Sequence, residues 1–334
     1  MQSRYKYTFF FACLLGLFTS CGDDSQKLPD VRDIEPNVGV RRFDQDFFAN
    51  EQPDLMQLKR DYPLFWDIYF GTIMAEFAES DSFTDAQVLE MHQNPYLQAL
   101  LDTCQRVHTD LGALEKGLSK AMQYYRHYTG DARPKTLVTF LSEYGVGACT
   151  FGDDTLGLGV DMYLGSDFGG YDPSVFPQFI REQMRPEYML PQVIKAFSQN
   201  MLPPLKSERM LDIMLNNGKV LYLMDLFLPE VSTAMKMEYT ETQMKWVAEN
   251  EARIWNHFVS RELLYSTRRQ EYQKLVGPSP NAPNMPAEAP GQTANYIGWQ
   301  MIKAFVRRNP DVSLQEMLAM DGQKIMEMAR YRPK

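Results

Sequence analysis

Histidine, cysteine and long apolar runs are scarce in this chain of 334 residues, and each scarcity closes off a class of function. The four histidines, His92, His108, His127 and His257, stand apart. None has a second histidine four residues away or a cysteine pair nearby, so a zinc site of familiar spacing is absent. There is no G-x-S-x-G elbow, no G-x-x-x-x-G-K-[ST] loop and no cysteine with an evident histidine partner, which removes the usual signatures of serine hydrolases, P-loop NTPases and thiol enzymes. No motif calls for a cofactor. Basic charge is in deficit: 34 Lys and Arg against 43 Asp and Glu leave a formal net charge of −9. Such a chain has no basic stripe with which to hold a phosphate backbone, so nucleic acid is not an expected partner.

What is present begins with a leader. Arg4 and Lys6 precede an apolar stretch from Phe9 to Phe18, small residues Thr19 and Ser20 follow, and then comes Cys21. This is the layout of a secretory signal, and its apolar core is well short of the roughly 20 residues that span a bilayer. Phe18-Thr19-Ser20-Cys21 resembles the lipobox of bacterial lipoproteins, with Phe18 where leucine is usual. Residues 1–20 are therefore expected to be removed and Cys21 to carry lipid, whose two acyl chains suffice for stable attachment. Losing Arg4 and Lys6 takes the net charge from −9 to −11. The expected location is the cell envelope, outside the cytoplasm, with inner or outer membrane undetermined. Beyond Cys21 the exported chain has only Cys104 and Cys149, which in an oxidising compartment could pair or equally remain two separate buried thiols.

Residues 21–37 are polar and contain proline, reading as a lipid-anchored tether, and residues 38–334 read as a single globular domain. Val38 to Phe43 suits a first short strand. From Asp44 to Tyr128 the apolar spacing is helical, as in Leu97, Leu100, Leu101, Cys104 and Val107. Thr136 to Ser142 and Leu156 to Leu164 are β-rich runs expected to form a hairpin or adjacent strands, and from Ser207 helices return. Gly277 to Thr293 is a Pro/Ala/Gly loop of a length that in compact domains marks a lid or binding edge, the alternative being a solvated connector. With Tyr296 and Trp299 following it, the loop is a candidate edge of an interaction surface. The fold class is α+β, mostly helical with one small β-sheet and no doubly wound alternation.

Two carboxylates fall on apolar helix faces. In the helix begun by the capping box Thr240-Glu241-Thr242-Gln243, Glu251 shares a face with Met244, Val247, Ile254, Trp255 and Phe258. Burying it alone would be costly, so it is expected to pair with an arginine or a buried tyrosine, or else to serve as an acid or base. In the preceding helix, expected to be capped by Ser207, Asp225 shares the apolar stripe, and Gly218 among large apolar residues implies a close helix contact. A glycosidase-like pair of Glu251 and Asp225 depends on a separation that sequence does not supply.

Taken in order, V-R-R-F-D-Q-D-F-F (Val40 to Phe48), D-Y-P-L-F-W (Asp61 to Trp66), G-V-D-M-Y-L-G (Gly159 to Gly165), N-G-K-x-L-Y-L-M-D (Asn217 to Asp225), N-E-A-R-I-W (Asn250 to Trp255), A-P-G-x-x-x-x-Y-I-G-W-Q (Ala289 to Gln300) and the terminal A-R-Y-R-P-K resemble the gliding motility lipoprotein GldB family of Bacteroidetes. The resemblance implies an envelope lipoprotein of surface gliding, a process linked to type IX secretion, with other envelope or secretion proteins as partners. The layout is also similar to a zincin-like peptidase architecture without its zinc motif: Met189 to Asn200 stands where H-E-x-x-H would be and has no histidine, and Asn217-Gly218 replaces a Glu-Gly ligand. That likeness implies a peptidase scaffold kept for binding, with no metal and no catalysis. Two rival readings are a hydrolase, acting on peptides or carbohydrate through Glu251, and a glycan-binding lipoprotein using Trp66, Trp246, Trp255 and Trp299.

Overall fold

The computed structural model describes residues 28–75 and 83–333, so the expected leader, Cys21 and the first part of the tether lie outside the described residues. Its sheet has four strands, β1 (Val38–Arg42), β2 (Lys135–Phe140), β3 (Ala148–Phe151) and β4 (Thr155–Gly159), in the order β1-β2-β4-β3. β1, β2 and β4 run parallel, with Val40 opposite Leu137 and Leu137 opposite Leu156, while β3 is antiparallel to β4. β2 is central, and its side chains alternate between two cores, as a pleat of period two requires. Leu137 enters the larger core, whereas Val138 and Phe140 enter a smaller, aromatic one.

The aromatic core is built by short helices on one face of the sheet: α1 (Phe43–Asp46), α2 (Leu55–Asp61), α3 (Pro63–Ile68), a π-helical turn at Tyr69–Ile73, and α4 (Asp85–His92). Phe43 packs edge-on to Tyr62, Phe65 and Tyr69, and Phe65 meets Phe151 of the sheet. α5 (Pro95–Val107) bridges to the larger core, its Leu97 in the aromatic cluster and Leu100, Leu101 and Cys104 on the other side. The larger core gathers α6 (Gly112–Thr129), α8 (Met189–Asn200), α9 (Met210–Phe227) and α14 (Thr293–Arg308), with the intervening α7 (Gln178–Arg181), α10 (Thr233–Met237), α11 (Glu241–Glu249), α12 (Glu251–Ser260) and α13 (Arg269–Val276), and α15 (Leu314–Ala319) and α16 (Gly322–Ala329) at the end. The class is α+β, mostly helical with one small mixed sheet.

α9 and α14 form the spine. Both are buried on most of their surface, and they touch where each carries a glycine: a Cβ on Gly218 would lie 2.4 Å from the Gly298 carbonyl carbon, and one on Gly298 would lie 2.1 Å from the Met214 carbonyl oxygen. The close approach implied by Gly218 is therefore a backbone-to-backbone contact.

Of the local expectations, one open choice is decided and three differ from the structure. The two β-rich runs are adjacent strands, running parallel, and the hairpin is made by β3, which lies between them in sequence but at the edge of the sheet, turning into β4 through Gly152 at φ 63°. The second run leaves the sheet at Gly159, where a Cβ would sit 2.0 Å from the Val146 carbonyl oxygen, and Val160–Tyr163 is a 3-10 turn. Ser207 does not cap α9: Arg209 is the N-cap, and the Ser207 hydroxyl accepts the Arg209 N–H at 3.1 Å and donates to Asp212 at 2.7 Å. The chain read as a tether up to residue 37 is docked from Val31, which is fully buried, while Gln123 on α6 donates to the Ile34 carbonyl at 2.8 Å.

Asp161, at the end of β4, has no exposed surface and no cation among its closest influences. It accepts from the Ser142 N–H at 3.0 Å, the Tyr144 N–H at 2.7 Å and the Ser142 hydroxyl at 3.2 Å, and so holds the left-handed pair Glu143 and Tyr144, φ 51° and 65°. Burial pushes its carboxyl up to about 6 from 3.8, the N–H donors pulling back only in part. The folded state thus binds the proton more tightly than the unfolded chain, and stability contributed by this group falls as pH rises through that interval and is level above it. Urea midpoints measured from pH 4 to pH 7 should show this decline in the native chain and a flatter profile in Asp161→Asn. Parallel profiles would show that Asp161 does not titrate in that window.

Candidate functional site

The loop that sequence reading singled out lines one side of a cleft. Pro278, Ser279, Pro280 and Pro290 face Tyr188, Glu238, Tyr239 and the start of α11 across a space of about 460 Å³. A smaller one of about 180 Å³, lined by Lys195, Asn217, Lys236 and Asn295, adjoins Pro278 and Gln292 from the other side. The loop is not a floppy connector. Ala282 donates to the Ala289 carbonyl at 2.8 Å and Gln292 to the Lys274 carbonyl at 3.1 Å, and Ala282 and Ala289 are buried. Exchanging Pro278 to Pro290 for a Gly/Ser linker would therefore lose core contacts.

A polar chain pins both ends of this loop. α10, capped by the Ser232 hydroxyl, ends on Glu238 in the left-handed region, φ 59°, which turns its side chain inward. The carboxylate accepts from Lys195, from Gln192 at 2.8 Å and from Gln292 at 3.4 Å. Burial by itself would raise its pKa, but the Lys195 ammonium and these hydrogen bonds prevail and hold it below the ordinary value. Gln292, also left-handed, accepts from Asn295 at 3.1 Å, and Asn295 accepts from Asn217 at 2.8 Å. Asn217 and Asn295 both donate to the Val276 carbonyl, at 3.3 and 3.0 Å. Helix α8 spans the residues read as the counterpart of a metal-binding helix, and it presents Gln192 and Lys195, an amide and an ammonium that are no ligands for zinc. Among the described residues no group of three or more His, Cys, Asp or Glu is placed to hold a metal.

Glu251 and Tyr296 come together. What reads as one helix is two, because Asn250 breaks the run with φ −114° and ψ 15°, its amide folding back onto the Trp246 carbonyl at 2.9 Å. Glu251 thereby becomes the first residue of α12. It is 7 % exposed and accepts from the Tyr296 hydroxyl at 3.2 Å and the Tyr331 hydroxyl at 2.8 Å, and burial followed by the carboxylate raises the pKa of both phenols. Since the Tyr296 and Tyr331 hydroxyls donate to it, Glu251→Ala should lower stability by about 2 to 3 kcal/mol through two stranded hydroxyls. A shift in urea midpoint equivalent to less than about 1 kcal/mol would show that the tyrosines find other acceptors.

Asp225 and Trp299 form a separate cluster. The Trp299 indole N–H donates to Asp225 at 2.8 Å, Lys236 and Lys303 approach the carboxylate at 3.0 and 3.2 Å, and Lys303 lies 3.4 Å over the Trp299 ring. The two carboxylates are thus tied to different partners. Tyr296 and Trp299 do not extend the loop as a surface: they are 4 % and 1 % exposed, because α14 is the central helix of the core. Trp66 is buried as well. Cys104, in the larger core, and half-buried Cys149 are two separate free thiols.

Sequence reading missed Glu238, Gln192, Lys195, Gln292 and Tyr331. The available signal was the i, i+3 polar pair Gln192 and Lys195 in the otherwise apolar run Met189 to Phe197 of α8; nothing local marks Glu238 as their partner. No helix among the described residues is long and apolar enough to cross a membrane. No curated protein and no solved structure matches the chain. The family model described as gliding motility protein GldB does match, over residues 24–333, and the chain belongs to that family.

Proposed function

We propose that this protein is a lipid-anchored envelope component of gliding and type IX secretion-linked machinery that acts by holding a polypeptide, without catalysis, in the cleft beneath the loop from Gly277 to Thr293. The carrying observation is the network from Lys195 through Glu238, Gln292 and Asn295 to Asn217, which fixes both ends of a proline-stiffened loop over the cleft. A preformed rim of this kind orders little on binding, so less affinity is lost to entropy. Its buried carboxylate is kept ionised and charge-balanced by Lys195, which suits a structural anchor better than a proton donor. The anchor follows from Cys21, and mass spectrometry of the mature N-terminus should find that residue acylated. A chain starting elsewhere, without lipid, would remove the anchored reading.

The binding role is tested by a photoreactive side chain at Ser279, on the cleft wall, in native envelopes. A discrete protein adduct is expected. Pro278→Ala with Pro280→Ala, both exposed and clear of the buried Ala282 and Ala289, should weaken it without changing the melting temperature. An adduct unaffected by these changes, or absent with the chain correctly localised, would overturn the cleft as the binding site.

A further inference from the structure

Another cleft, of about 770 Å³, is lined by Glu251, Tyr296, Gln300, Arg307, Arg308, Tyr331 and Arg332. We infer that this cleft binds a phosphoryl group, as a free phosphate or as the headgroup of an anionic phospholipid, through Arg307, Arg308 and Arg332.

In a chain of net charge −9, three guanidinium groups face one cleft, and none of them has an ion pair with an acidic side chain among the described residues. Several cations elsewhere in the fold are ion-paired, as Arg42 is with Asp44, Lys195 with Glu238 and Lys236 with Asp225. Cations in the last turn of a helix are favoured by its dipole, which accounts for Arg307 and Arg308 at the end of α14. It does not account for Arg332, which arrives from another element by a strained route. α16 ends at Ala329, Arg330 takes up φ 43°, and the tail doubles back so that the Tyr331 ring packs edge-on to Trp255, centroids 5.6 Å apart. Its hydroxyl is then fastened to buried Glu251 at 2.8 Å. A left-handed arginine is unfavourable by about 1 kcal/mol or more and persists only where neighbours enforce it. Here Glu251 and Trp255 enforce it, and the result is a third planar, five-donor group on a cleft that already holds two. Guanidinium forks match the oxygen geometry of phosphoryl groups, and several converging on one site favour a dianion or a phosphodiester over a single carboxylate.

The test is calorimetric titration of the full chain in a neutral detergent. One arm uses inorganic phosphate; the others use short-chain phosphatidic acid, phosphatidylglycerol and, as the uncharged-headgroup control, phosphatidylcholine, each below its micelle concentration. Binding of phosphate assigns the site to the free ion, and binding of the anionic lipids without phosphate assigns it to headgroups; either supports the inference. Arg307→Gln/Arg308→Gln/Arg332→Gln should weaken that binding at least about tenfold with an unchanged melting temperature. Arg332→Gln alone, at an exposed residue outside the core, should weaken it measurably, and raised salt should weaken the native chain in parallel. No binding in any charged arm, equal binding of phosphatidylcholine, or a triple variant that binds as the native chain does would overturn it.

Discussion

Gly298→Val is expected to destabilise the protein by about 3 kcal/mol or more. The reason is geometric. The nearest atoms to a Cβ at this position are the carbonyl oxygen and carbon of Met214, 2.1 and 2.8 Å away, and they belong to backbone that cannot rotate aside. Relief requires α9 and α14 to part, and every side chain packed along that seam, Leu215, Leu221 and Ile302 among them, loses contact with it. Gly218→Ala should act in the same direction, and the double variant should cost less than the two single changes added together, because helices already pushed apart admit the second methyl group more cheaply. Urea denaturation of the four proteins measures this cycle. Strict additivity, or a loss below about 1 kcal/mol for Gly298→Val, would show that the two helices are not in close contact.

Asp225→Ala is expected to cost about 3 to 5 kcal/mol, the range for breaking a buried charge cluster by removing one member. Its carboxylate is one-fifth exposed, whereas Lys236, with a side chain 3 % exposed, cannot recover hydration when its partner goes. Burial already pushes the Lys303 pKa down, against the pull of Asp225, so loss of the carboxylate would push it further. The Trp299 N–H would be stranded in the core as well. Asp225→Asn keeps an acceptor for the indole but not the charge, so it should fall between the native chain and the alanine variant. Thermal melts with indole fluorescence follow both consequences. Equal stability of Asp225→Ala and the native chain would mean that the two lysines find solvent.

The contrast between Asp225 and Glu238 shows what was legible in advance. Asp225 stands on a long helix whose apolar stripe makes a carboxylate conspicuous, and so does Gly218 one helical stretch earlier. Glu238 terminates a helix of five residues, too short for any periodicity to mark a face, and its importance lies in Lys195, 43 residues away, and Gln292, 54 residues away. Glu251 was legible as a misplaced charge but not as the start of a new helix. The apolar period runs on from Val247 to Ile254 and Phe258, and only the amide of Asn250, a residue that competes for backbone hydrogen bonds, breaks it.

Sequence by itself determined the helical faces, the α+β class, the need for close approach at Gly218 and, through the ordered motifs from Val40 to Lys334, the family. These are local properties: periodicity records which side of an element is buried, and glycine records that something must come near. The tertiary structure alone decided what each buried face meets. It placed Gly298 against Met214, chose adjacent parallel strands over a hairpin for the two β-rich runs with β3 outside them, drew Tyr296 and Trp299 into the core, and brought Arg332 to Arg307 and Arg308. Charge pairing and backbone contact act between atoms a few ångströms apart in space, whatever their distance along the chain, and no local pattern of residues encodes that partner.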